Sequence, residues 1–431
     1  MREMKDSGYS WVGDIPQSWT LVPIKYLLTQ ERDAIKVGPF GSQLAGNDFV
    51  DDGYWVYNQR AVIDQNFIDN TVFVTKDKYE ALSAFKVRKD DILITTRGTI
   101  GRICRIPAEH MEGIIHPCII KFRIDDTKII YDFLQRIFND SDFVKRQILY
   151  KSNATTIDVI YGDTLKNIVI PVPSMHEQQI ILDYLNPRCN EIDALTTDIQ
   201  SQIDILEQYK RSIITEAVTK GLNPEVDMKD SGVRWIGQMP SHWDCIRGKY
   251  ILRYLQKPIR EDDGVITCFR DGEVTLRSNR REDGFTMSDK EIGYQGIDVG
   301  DLVVHGMDGF AGAIGISDSR GKASPVLNVL DTKQNKRYVM YYLRSMAYSD
   351  VFLAMATGIR VRSCDLRWNK LTELQYPVPP IEEQNQIVEY IDSVLQRTNE
   401  VIADKQSQLA TLDEYKKSLI FEYVTGKKEV V

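Results

Sequence analysis

Arginines in this chain gather beside glycine turns, an arrangement suited to gripping a polyanion. The run 268–285, CFRDGEVTLRSNRREDGF, holds Arg270, Arg277, Arg280 and Arg281. Arg360, Arg362 and Arg367 follow the turn Thr357-Gly358, with Trp368 beside them. Nearer the start, Arg97, Thr99, Arg102 and Arg105 surround Gly98 and Gly101 without an acidic residue between them. Asn58, Gln59 and Arg60 follow the strand-like YWVY, and Lys151-Ser152-Asn153 is a further polar loop. A guanidinium fork matches guanine O6 and N7, and Asn or Gln matches adenine. Contacts to phosphate set position without reading sequence. These residues are therefore candidates for DNA binding; solvated surface arginines are the competing reading.

The chemistry that is missing narrows the function. No Asn/Asp-Pro-Pro-Tyr/Phe motif for adenine methylation is present, since Pro379-Pro380 is followed by Ile381. No G-x-x-x-x-G-K-[ST] phosphate loop is present. The five histidines lack metal-ligand spacing. Glu177 and Glu383 stand where a helix begins, so they suit the helix dipole better than catalysis. No catalytic residue and no metal site are expected. Six cysteines without a Cys-x-x-Cys pair suit free thiols in a reducing cytosol. The start of the chain has no apolar h-region, and no stretch approaches the length of a membrane span. A cytoplasmic, non-membrane protein is the expectation. A net charge of −8 argues against a general nucleic-acid coat and leaves room for local basic surfaces.

The elements that must position these arginines come in duplicate. Residues 4–28 and 228–252 share 12 of 25 positions at an offset of 224. Residues 171–219 and 377–425 share 19 of 49 at an offset of 206. Between them, 29–170 and 253–376 scarcely match. One frame is thus copied twice around two unlike inserts. Each copy opens with an aromatic module: Trp11, Pro16 and Trp19, then Trp235, Pro240 and Trp243. Each insert reads as a compact α+β domain, with Asp91 and Asp301 preceding apolar strands. The domains expected are 1–173, a helical spacer 174–222, 223–379, and a second spacer 380–431.

Pro171-Val172-Pro173 and Pro377-Val378-Pro379-Pro380 lead into helices. A short helix is expected to about 185. Asn186-Pro187 would then start a longer one that runs to about Thr219, with Gly221 as its stop. Heptad-spaced Ile199, Leu206 and Ile213, with Tyr209, and Leu409, Leu412 and Leu419, with Tyr415, are the expected seam. The two helices would pack against each other antiparallel; coiled-coil dimerisation between chains is the alternative. The polar set retained in both helices includes Gln202 and Gln408, assigned to the seam, and Lys210 and Lys416, assigned to a partner or a phosphate.

The repeated frame, W-x-G-x-x-P-x-x-W and then P-x-P-x-x-x-E-Q before a long helix, resembles the specificity (S) subunit of Type I restriction–modification systems. Trp11 to Trp19, Trp235 to Trp243, Pro173 to Gln178 and Pro379 to Gln384 carry the resemblance, and Gly38-Pro39-Phe40-Gly41-Ser42 resembles one class of target-recognition domain. The resemblance implies an α+β fold: two α/β target-recognition domains joined by two long antiparallel helices, as a pseudo-two-fold repeat. It implies one domain per half of a split, asymmetric double-stranded DNA site. It implies two methyltransferase (M) subunits and optionally two restriction (R) subunits as partners. S-adenosylmethionine, ATP and Mg would belong to those partners, with no cofactor in this chain. A protein-interaction scaffold and a self-contained nuclease are the rival functions.

Overall fold

The computed structural model describes residues 2–67, 72–152, 159–280, 292–355 and 366–430. The chain is mixed α/β and divides into two compact units. One comprises 1–199 with 407–431, the other 200–406. Each long helix therefore lends one half to each unit.

In the first unit the aromatic module is a small antiparallel pair, Met4–Asp6 with Asp14–Pro16. It buries Val12, Ile15 and Trp19. The end of the second long helix packs on it: Lys427 Nζ donates to the Val12 carbonyl at 2.9 Å. Gly426 turns there with φ +71°, and a Cβ on it would lie 2.4 Å from Pro16, so only glycine fits. The insert is built on a four-stranded antiparallel sheet in the order Ile35–Val37, Ile119–Phe122, Ile92–Thr95, Ile103–Arg105. Ile92, Ile94, Ile120 and Phe122 face one core together with Ile181, Leu182 and Leu185 of the first long helix. Leu93, Ile115 and Ile119 face a second core, beneath a sheet containing Tyr54–Tyr57 and Gly113–Ile115.

The second unit repeats the plan. Its aromatic module pairs Met228–Asp230 with Gln238–Pro240 and buries Trp243. Gly221, with φ +75°, ends the first long helix beside Trp243. The four-stranded sheet runs Leu252–Tyr254, Leu327–Thr332, Leu302–His305, Ile314–Ile316. Its core includes Leu302, Val304, Tyr338 and Ile387.

The helices are longer than the proline suggested. Met175–Lys220 is one helix of 46 residues with Pro187 inside it, and Ile381–Val424 has 44. Pro187 removes one backbone donor and crowds the preceding turn, at a cost of about 3 kcal/mol. The buried face Ile181, Leu185, Cys189 and Ile192 runs through the proline at helical spacing and outweighs that cost. Arg136 donates to the Asn186 side chain and Arg188 to the Tyr184 carbonyl, each at 3.0 Å, so polar groups also tie down this turn.

Within each unit the helices run antiparallel. In the first, Tyr184 packs on Tyr423 and Asp193 accepts from Lys416 at 2.6 Å. In the second, Lys405 donates to Gln202, and Glu383 lies close to Gly221. The expected seam needs correction at two places. Tyr209 is 47% and Tyr415 56% exposed, whereas Ile192, Ile203, Ile214, Ile402 and Leu419 are buried. Ile199, Leu206, Ile213, Leu409 and Leu412 are half-buried. The period of a straight helix is 3.6, so a strict seven-residue repeat drifts off the contact line. Lys416 is also corrected, since it pairs across the helices with Asp193. Lys210 pairs with Glu207 on its own helix. Among the described residues, no helix is long and apolar enough to cross a membrane.

Candidate nucleic-acid interface

Strand register in the first unit gathers several loops at one end of a sheet. Val37 lies opposite Ile120, and Thr95 opposite Ile119. Three chain segments therefore leave this end side by side: 38–45, 96–102 and 116–118. Thr96 N donates to the Cys118 carbonyl at 3.0 Å, and Ile160 N to the Thr96 carbonyl at 2.9 Å. The adjoining sheet delivers a fourth segment, because His116 N donates to the Tyr57 carbonyl at 3.1 Å. Asn58, Gln59 and Arg60 follow directly. Gly98, with φ +63°, abuts Gln59: a Cβ on it would stand 3.0 Å from Nε2. The sheets thus bring half-buried Gln59 and exposed Arg60, Arg97 and Thr99 to one end of the unit.

Neighbouring candidates have other work. Asn58 caps the helix Gln59–Asp64, its Oδ1 accepting from Ala61 N at 3.1 Å. Arg105 pairs with Asp126 at 2.6 Å and stacks on Tyr131. Arg102 donates to the Asn139 carbonyl at 2.6 Å, which fixes the root of the 96–102 turn. Arg60 is paired only loosely, with Asp64 at 3.1 Å on an open surface. Lys151 lies in the helix Phe143–Ser152, but its side chain falls outside the described residues.

The second unit assembles a different cluster at the corresponding end. The turn after Leu302–His305 meets the hairpin Ile266–Cys268/Val274–Leu276: a Cβ on Gly312 would lie 2.7 Å from the Arg270 carbonyl. Arg270 pairs with Asp308 at 2.9 Å. Arg280 pairs with Asp271 at 2.6 Å and Glu273 at 3.0 Å and lies over Phe269. Hydrogen bonding to Asp271 raises its already high pKa. Arg277 is half-buried near Thr267. Arg367 is exposed beside Gly306. Arg281, Arg360 and Arg362 lie outside the described residues.

Two histidines shape these turns. His116 Nδ1 accepts from Cys118 N at 3.1 Å, and His305 Nδ1 accepts from Asp308 N at 2.9 Å. An accepting nitrogen must be unprotonated, and burial lowers both pKa values accordingly.

The sequence reading missed the purpose of the E-Q pair in the frame. Gln178 and Gln384 are fully buried. Gln178 accepts from Ile130 N at 2.8 Å and donates to the Pro173 carbonyl at 3.0 Å. Gln384 accepts from Asn335 N at 2.9 Å and donates to the Pro379 carbonyl at 2.8 Å. Each glutamine locks the start of a long helix to a helix of its own insert. Its retention in both copies was the available signal.

The duplicated frame thus presents two unlike polar loop clusters, and the likeness to known proteins follows the same plan. Residues 41–204 match the family described as Type I restriction modification DNA specificity domain. The Type I restriction enzyme MjaVIII specificity subunit of Methanocaldococcus jannaschii is 22% identical, with 93% of this chain and 94% of that one covered. The StySPI specificity subunit of Salmonella potsdam is 19% identical, with 96% and 90% covered. A chain from a structure of the type I R-M system, solved for its complex assembly and conformational transition, superposes with a TM-score of 0.66. That match covers 96% of this chain and 99% of that one at 15% identity, and so speaks for the fold. More particularly, then, the chain is similar along its length to specificity subunits of Type I restriction enzymes. The expectation of a specificity subunit agrees with the names of these relatives.

Proposed function

We propose that the chain is the non-catalytic specificity subunit of a Type I restriction–modification complex. Each insert reads one half of a split, asymmetric site on double-stranded DNA. The observation that carries this reading is the pairing of like sheets with unlike loops. Loops gathered at the corresponding end of each four-stranded sheet include Gln59, Arg60, Arg97 and Thr99 in one unit and Arg270, Arg280 and Arg367 in the other. The frame recruits two adenine methyltransferase subunits and, where present, two restriction subunits in the cytoplasm. S-adenosylmethionine, ATP and Mg act in those partners. The continuous helices set the number of unread base pairs between the halves. Methylome sequencing of cells carrying this chain with its partners tests the proposal. The expected result is methylated adenine in a two-part, non-palindromic motif with a fixed gap; an uninterrupted or palindromic motif would refute it.

A further inference from the structure

We propose that Phe40 is a wedge that seats its ring against the stacked bases of the DNA held by the first unit. This deepens the DNA-recognition reading and rests on it. At 78%, Phe40 is the most exposed large hydrophobic side chain among the described residues. An apolar ring in water does nothing for the fold, yet the loop that presents it is closely built. Gly38 N donates to the Ile119 carbonyl at 2.9 Å. A Cβ on Gly38 would stand 2.4 Å from the His116 carbonyl oxygen, so the loop leaves the sheet pressed against backbone. Phe40 N donates to Gln43 Oε1 at 3.0 Å, while Gln43 N returns a bond to the Phe40 carbonyl at 2.8 Å. Buried Leu44 anchors the far side. Residue 40 therefore projects from a backbone held at both ends, which lowers the entropy lost on contact.

Placement points to the partner. The Phe40 loop and the turn carrying Arg97 and Thr99 leave the same end of the sheet, separated by one strand. The cation suits phosphate, and the ring suits the base face, an apolar surface that every base step offers. Apolar side chains wedged between base steps kink the duplex. The cost of the kink depends on the step, so Phe40 would contribute specificity by selecting a deformable step without reading a base edge. The second insert has no Gly-Pro-Phe-Gly segment, which confines the wedge to one half-site.

The test uses the chain assembled with its methyltransferase partner, on duplexes of the recognised site with 2-aminopurine at successive positions. Fluorescence should rise on binding at one step only. Phe40→Ala should abolish that rise and weaken binding about 10- to 100-fold. The salt dependence should keep its slope, because the ring neutralises no phosphate. Phe40→Tyr should restore signal and affinity. An unchanged fluorescence profile and affinity in Phe40→Ala would overturn the wedge, as would loss of partner assembly, which would mark the ring as a protein contact. A wild-type complex that selects no DNA sequence would instead bring down the DNA reading itself.

Discussion

Asp91 holds two cations inside the first unit. Its carboxylate accepts from Arg123 Nε at 2.6 Å, Lys121 Nζ at 3.4 Å and Arg88 N at 2.9 Å. Asp301 occupies the equivalent place in the second unit and accepts from Lys257 at 2.6 Å and Asp298 N at 2.9 Å. Removing one partner of a buried pair leaves the other charge uncompensated, at about 3–5 kcal/mol. Asp91→Ala should therefore reduce the free energy of unfolding by an amount in that range, read as a fall in the denaturant midpoint at unchanged slope. Acid should loosen the second unit through Asp298. Hydrogen bonds from Lys257 and then Arg320 hold its pKa down at about 2. An unfolded aspartate titrates near about 3.9. A depressed folded pKa contributes stability that is present above the unfolded value and is lost as pH falls from about 4 to about 2. Asp298→Asn should flatten the pH dependence of stability within that window, as read from chemical unfolding at each pH. The two aspartates were legible as residues preceding apolar strands. Their cations were not, because they lie 30, 32 and 44 residues away in sequence. The same limit applies to the candidate arginines. A cluster beside glycines marked the loops, but not that Arg105 would meet Asp126 or that Arg280 would meet Asp271.

At the scale of elements, the first long helix shows tertiary packing overriding a local stop signal. Asn-Pro reads as a cap and first turn, yet the buried stripe from Ile181 to Ile192 keeps the chain helical through it. The position matching Pro187 in the second helix is Ser393, so nothing in the shared plan needs a proline there. Pro187→Ala should restore a backbone donor and raise stability by about 1–2 kcal/mol, less than the full interior penalty of about 3 because the surroundings have already adapted. A loss of stability in thermal or denaturant unfolding would show that residue 187 begins a separate helix. The helix ends were legible: Gly221 stands at a positive φ just past the last helical residue. The exposed tyrosines were misplaced because heptad spacing alone does not reveal which side a straight helix buries.

At the scale of the whole molecule, the duplication was plain in sequence because frame residues such as Trp19 and Trp243, or Gln178 and Gln384, perform the same task in both copies. The inserts hid their common plan because little beyond the strand order and the Asp91/Asp301 position is shared. Both sheets place the first strand beside the last, with the middle pair following, and nearly every loop residue has diverged. A frame that stays constant while its loops change should let one reading surface be replaced without disturbing the other. The direct measurement is an exchange: residues 253–376 replaced by the insert of a different specificity subunit, followed by mapping of the methylated motif. One half of the motif should change while the other half keeps its bases. A motif altered in both halves, or in neither, would contradict independent reading by the two inserts.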